Sequence, residues 1–201
     1  MNSHAFRRQR FDALFEAHKV DVASYCSWRS ASRADAEDAV AEVFLVAWRK
    51  IDLIPRGDGA RAWLYATARR VTANARRSIR RRDALDDRMS QDRSVNGPQP
   101  DVTSEEDALV HEALAVLRER DREVLLLVEW EGLRPAELAE VLGCQEVTAR
   151  GRLHRARARF RDAIETARGQ QSISGSSEFQ AKGRVEVPSQ RLLRDMRKAQ
   201  P

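Results

Sequence analysis

The chain has 201 residues, 42% of them hydrophobic, and carries 36 Lys and Arg against 31 Asp and Glu for a net charge of +5. That is room for one medium domain or two small ones with ordinary cores. No apolar run approaches the ~18 residues of a membrane span, the start "MNSHAFRRQRF" lacks the apolar stretch of a secretion signal, and Cys26 and Cys144 have no partners at metal-ligand spacing, so membrane, secreted, disulfide-framework and zinc-site classes are set aside. The expectation is a cytoplasmic protein whose two cysteines are small buried or half-buried residues.

Taken in chain order, Phe11, Leu14, Phe15, Val22 and Tyr25 recur at three-, four- and seven-residue steps, which predicts two short helices. "DAEDAVAEVFLVAWRKI" follows with Asp35 as its expected N-cap, Glu37 and Asp38 in the first turn, and Val40, Val43, Phe44, Ala47, Trp48 and Ile51 as one apolar stripe. "IPRGDG" interrupts the pattern, and a third helix places Ala60, Leu64, Thr67, Ala68, Val71, Ala75 and Ile79 on one face. These segments form a helical first domain over residues 5–82. Residues 83–104 lose periodicity and gather Gly97, Pro98 and Pro100, the composition of a flexible linker with an extended reach of up to ~75 Å. Helical spacing resumes in "EEDALVHEALAVL" and "DREVLLLVEW". Gly132 then punctuates, Pro135 opens the short helix "AELAEVL", Gly143 stops it, and a long basic helix runs over about 146–167. A short helix, a glycine turn and a long basic helix make the helix-turn-helix pattern, so residues 105–168 read as a second domain. The tail 169–201, with its "SISGSSEF", is expected to be disordered. The fold class is therefore all-α, two small helical domains joined by a flexible linker.

Charge is distributed unevenly along this plan. Residues 54–82 carry +8, residues 83–107 carry −6 and residues 145–168 carry +4. Two polyanion-binding modules separated by an acidic segment fit that alternation.

Three constellations could carry function. On the last helix, Ala149, Leu153, Ala156, Phe160, Ala163 and Ala167 form the packing stripe, and Thr148, Gly151, His154, Arg155 and Ala158 lie opposite it, flanked by Arg150, Arg157 and Arg152. Small residues permit close approach to a major groove, while arginine can pair with guanine or neutralise phosphate. Arg157 to Arg161 are expected to serve the phosphate backbone or solubility. On the third helix, Trp63, Tyr65, Arg69, Arg70, Asn74, Arg76, Arg77 and Arg80 combine aromatics with cations, which suits stacking on unpaired bases while the backbone is tracked by charge; Trp63 could equally belong to the core. On the second helix, Asp38, Glu42, Leu45 and Arg49 form a mixed stripe with one apolar residue, a docking face for a partner helix or else a solvated surface. No phosphate-binding glycine loop, nucleophile elbow or histidine cluster occurs, so nothing argues for an enzyme, a metal or a cofactor.

With those residues in place, the sequence resembles the extracytoplasmic-function (ECF), or group IV, sigma factors of bacterial RNA polymerase over about residues 8–167. "DAEDAVAEVFLVAWR" is similar to the family's region 2.2, "ARAWLYATARRVTANARRSIRRR" to regions 2.3 and 2.4, and "LRERDREVLLLVEWEGLRPAELAEVLGCQEVTARGRLHRARARFR" to region 4. The resemblance implies that Asp38, Glu42, Leu45 and Arg49 dock on the clamp helices of the β′ subunit of the polymerase core. It implies that residues 63–77 and the loop 55–62 recognise and melt the −10 element. Arg150, Gly151, Arg152, His154 and Arg155 would read the −35 element, and the acidic linker would thread the polymerase channel past the β and β′ subunits. An anti-sigma partner, no insertion into the membrane and a monomer when free are implied as well. Ala41 stands where the family often has glutamine, Arg134 and Pro135 replace a common Ser/Thr-Tyr pair, and Gly151 replaces a frequent serine. The −35 preference therefore does not carry over from relatives. A stand-alone helix-turn-helix regulator, or an adaptor using the arginine helix on RNA, is the alternative to this reading.

Overall fold

The computed structural model describes residues 3–85 and 104–174. The order of elements is α1 (Ser3–Arg29), α2 (Arg33–Arg49), a 3-10 turn (Ile51–Leu53), α3 (Asp58–Leu85), α4 (Glu105–Val116), α5 (Glu119–Leu125) running into a π-helical turn (Leu126–Trp130), α6 (Pro135–Leu142) and α7 (Glu146–Ser174). The chain divides into two compact helical units. The linker residues 86–103 and the tail from 175 onward, for which sequence predicts flexibility and disorder, lie outside the described residues.

In the first unit α1, α2 and α3 pack on one another in all three pairings. Where periodicity predicts two short helices, α1 is a single helix of 27 residues. No glycine or proline occurs between Ser3 and Arg29, so nothing in the backbone forces a break, and a break in an apolar stripe need not break the helix that carries it. The start of α2 also differs from expectation. Its N-cap is Ser32, whose hydroxyl oxygen accepts the Asp35 backbone N–H at 3.1 Å while donating to the Asp35 carboxylate at 2.6 Å. Asp35 is thus the third residue of the helix, closing a Ser-x-x-Asp cap, rather than the cap itself. The same device recurs at α4, where the Ser104 hydroxyl oxygen accepts from the Asp107 N–H at 3.1 Å.

Alanines at the crossings (Ala36, Ala39 and Ala47 on α2; Ala60, Ala62 and Ala68 on α3) are buried, which lets the backbones approach closely. Larger side chains fill the ends. Phe15 meets Phe44 edge-on at 4.7 Å between ring centroids, Phe11 meets Trp48 at 5.3 Å and Tyr25 meets Tyr65 at 5.5 Å, pairs worth about 0.5 to 1.5 kcal/mol each beyond their burial. The connection to α3 is anchored from α1, since Arg10 donates to the Ile54 carbonyl and Arg7 pairs with Asp52 at 3.3 Å. Cys26 lies in this core, where burial pushes its thiol up to about 12; Cys144 is half-buried, and both are free thiols.

The second unit is organised by α7, which packs on α4 and α5. Leu109, Val110 and Ala113 of α4 meet Ile164 and Ala167 of α7, with Leu114, Phe160 and Ala163 against them. The α4 C-terminus is closed by Arg122, whose guanidinium donates to the carbonyls of Ala115 at 2.8 Å and Leu117 at 3.4 Å. α7 continues to Ser174, past the residue 167 at which the apolar repeat ends, so the first residues of the expected tail are helical.

Candidate nucleic-acid and polymerase interfaces

The turn between α6 and α7 positions the basic helix. α6 starts on Arg134, whose N–H is accepted by the Glu137 carboxylate at 2.8 Å, and it ends on Gly143 at φ +62°. The Cys144 N–H reaches the Ala139 carbonyl at 3.0 Å and the Gly143 N–H reaches the Glu140 carbonyl at 3.2 Å. These two bonds satisfy the last carbonyls of α6 and require a left-handed residue between them, which only glycine adopts without strain. Three residues later α7 begins, so the turn is tight.

α7 is divided as its periodicity predicts. Ala149, Leu153 and Ala156 are buried, whereas Arg150, Arg152, His154 and Arg155 are exposed and Gly151 is half-buried. Arg150 donates to Glu146, one turn back, at 2.6 Å. A Cβ built on Gly151 would lie 3.4 Å from Arg155 Nη1, so the Arg155 guanidinium lies over the bare backbone at Gly151. The outward surface near the start of α7 is thus low at Gly151 and surrounded by exposed cations, a chemistry that suits base edges and phosphates.

Farther along α7 the structure corrects the expectation. Arg157 donates to the Glu129 carboxylate at 2.6 and 2.9 Å, and the Nη1 of Arg159 donates to both carboxylate oxygens of Asp121 at 2.7 and 2.8 Å. Both guanidiniums are committed to the protein's own acids and tie α7 to the α5 segment; Arg161 is exposed. Nothing local marks these two arginines. Their partners come from acids far back in the chain, Asp121 among them nearly buried, and a carboxylate so placed needs a cation.

On α3, Trp63 is half-buried, Arg70, Asn74 and Arg77 are exposed, and Arg69 and Arg76 are half-buried. Steps of seven, four and three put Trp63, Arg70, Asn74 and Arg77 on one side of the helix. They are knitted together: Arg77 donates to the Asn74 side-chain oxygen at 2.5 Å, Arg70 to the Thr67 hydroxyl at 3.4 Å, and Thr67 in turn to the Trp63 carbonyl at 2.9 Å. Thr67 is a member of this network that apolar patterning hides. Tyr65 departs from its predicted role. It is 1% exposed, its ring turned to Tyr25 and covered by the Arg61 guanidinium at 5.6 Å, and in this position it is core and cannot stack on a base. In the first turn of α3 a Cβ at Gly59 would come within 2.8 Å of Pro55 Cβ, so the close approach of the helix start to the preceding loop requires glycine there.

Asp38, Glu42, Leu45 and Arg49 all face outward from α2, on the side away from buried Ala36, Ala39, Val43 and Ala47, and Leu45 is 48% exposed. A helix face with one apolar residue among mixed charges can receive another helix.

Among the described residues no group of three or more His, Cys, Asp and Glu could hold a metal ion, and no helix is long and apolar enough to cross a membrane.

A helical unit bearing a cationic helix face, followed by a helix-turn-helix unit, defines a nucleic-acid-binding protein of the helix-turn-helix class. Comparison with known proteins narrows this. Residues 14–82 match sigma-70 region 2 and residues 107–160 match sigma-70, region 4. The ECF RNA polymerase sigma factor SigL of Mycobacterium tuberculosis is 34% identical over 150 residues, covering 71% of this chain and 81% of the relative. The ECF RNA polymerase sigma-E factor of Haemophilus influenzae is 29% identical over 170 residues, covering 79% and 89%. Among solved structures, CnrH in complex with the cytosolic domain of CnrY is similar with a TM-score of 0.55 at 26% identity, over 78% of this chain and 88% of that one. The fold is also that of the sigma factor RpoE in complex with the anti-sigma factor NepR from Bartonella quintana, with a TM-score of 0.56 at 22% identity, over 79% and 96%. The chain belongs to the ECF RNA polymerase sigma factor family. That membership favours promoter selection over a stand-alone regulator.

Proposed function

We propose that this protein is a group IV alternative sigma factor that directs core RNA polymerase to a specific set of promoters in the cytoplasm, as a specificity subunit rather than an enzyme. The observation that carries the reading is the outward face of α7, where a left-handed glycine turn presents Arg150, Gly151, Arg152, His154 and Arg155 together. In this reading that face reads the −35 element, and Trp63, Arg69, Arg70, Asn74, Arg76 and Arg77 of α3 engage the −10 element, with Tyr65 supporting the helix from beneath. Asp38, Glu42, Leu45 and Arg49 dock on the β′ clamp helices, and the acidic linker occupies the basic nucleic-acid path between the β and β′ subunits. Control by an anti-sigma factor is supported by the relative RpoE, solved in complex with one. Free of these partners the protein is a monomer.

The test is transcription in vitro by purified core polymerase on a genomic library with and without the protein. A small set of promoters should initiate only when it is present. Failure to stimulate any promoter, with the protein folded and bound to core, would defeat the proposal.

A further inference from the structure

The outward surface of α7 carries one side chain that reading by arginine does not account for. Val147, in the first turn of the helix, is 76% exposed, the most of any exposed large hydrophobic residue among those described. A single exposed valine on a protein surface is ordinary. This one is placed by register: three, four and seven residues separate it from Arg150, Gly151 and His154, so it stands on their side of the helix and opposite buried Ala149, Leu153 and Ala156. Its surroundings leave it uncovered. Glu146 is engaged with Arg150 at 2.6 Å, and Gly151, one turn on, has no side chain. Being β-branched in a helix, Val147 is held close to one rotamer, so its methyls are fixed in space before any partner arrives.

A rigid apolar group in the first turn of a recognition helix sits where base edges are contacted. In the major groove the one apolar feature of a base edge is the C5-methyl of thymine. We propose that Val147 is a specificity-determining residue that reads a thymine in the −35 element through that methyl group, beside the polar contacts made by the arginines. The inference rests on the promoter reading above and adds to it a residue and a base.

Binding is measured with the full chain assembled on core polymerase, on a promoter obtained from the transcription experiment. Each thymine of the −35 element, on either strand, is replaced singly by deoxyuridine, which removes the methyl and nothing else. The wild-type holoenzyme should lose about fourfold in affinity at one position, the worth of one buried methyl group. The Val147→Ala holoenzyme should bind thymine and uracil there equally, with an unchanged thermal melt because the side chain is exposed. A wild-type holoenzyme indifferent to uracil at every position, or a Val147→Ala variant that keeps the same fourfold loss, would overturn the assignment. Absence of any holoenzyme–promoter complex would overturn the promoter reading itself, and this inference with it.

Discussion

Arg155 and Arg159 lie one turn apart on the same helix, yet the structure gives them different work. The Arg155 guanidinium lies over Gly151 at the surface, free to reach a base, whereas Arg159 is held by both oxygens of Asp121. If Arg155 reads a base, Arg155→Ala should cost about 1 to 3 kcal/mol at one −35 position and little elsewhere, measured as relative affinities across single-base variants of the promoter. A loss spread evenly over all sequences would reassign it to the phosphate backbone. Side-chain roles of this kind were only partly legible. The three- and four-residue spacing on α7 separates inside from outside, because a helix repeats locally, but it treats every outward arginine alike. Tyr65 shows the same limit: its composition, an aromatic among arginines, suits base stacking, and only the ring of Tyr25 against it shows that it is core.

Among elements, α5 and α7 are fastened by ion pairs as well as by apolar packing. Asp121 is only 9% exposed, so Arg159→Ala leaves a nearly buried carboxylate without the cation that bonds both its oxygens. The expected outcome is a loss of about 1 to 3 kcal/mol from the second unit, read as a lower urea midpoint, with promoter preference unchanged. An unaltered midpoint would reduce the pair to a surface contact. In the first unit, burial drives the pKa of His18 on α1 below its ordinary 6.5, a shift opposed by Asp21 and reinforced by Arg61. The unfolded chain then takes up a proton near pH 6.5 that the folded chain resists, so this contribution favours folding above 6.5 and is lost as pH falls below it. His111 on α4 is shifted downward by burial as well, with Asp107 opposing. Replacing both with glutamine should shrink the drop in melting temperature between pH 7.5 and 5.5; an unchanged drop would place the acid sensitivity elsewhere. The helices themselves were legible, since glycines, prolines and apolar repeats are local signals. Their joints were less so. The continuity of α1 and the cap of α2 depend on whether a Ser-x-x-Asp pair closes or a helix runs on, and a stripe of buried residues marks neither.

For the whole molecule, the charge alternation along the chain makes a simple proposal about assembly, in which basic units meet promoter DNA and the α2 face meets the polymerase. Glu42→Lys reverses one charge on that exposed face and touches no core residue. It should weaken association with core polymerase while leaving helicity and melting temperature as they are, and undiminished affinity would show that docking uses another surface. The all-helical class, the helix-turn-helix and the family were readable from sequence alone, because periodicity, turn residues and charge runs are written within a few residues of one another. Which of several equivalent side chains reach solvent was settled only by the packing of one helix on another. Tyr65 is covered by a ring from α1, and Arg157 and Arg159 are claimed by acids 28 and 38 residues earlier in the chain. Val147, apolar by composition, is left outside. Burial and ion pairing depend on neighbours brought together by folding, and no local pattern encodes them.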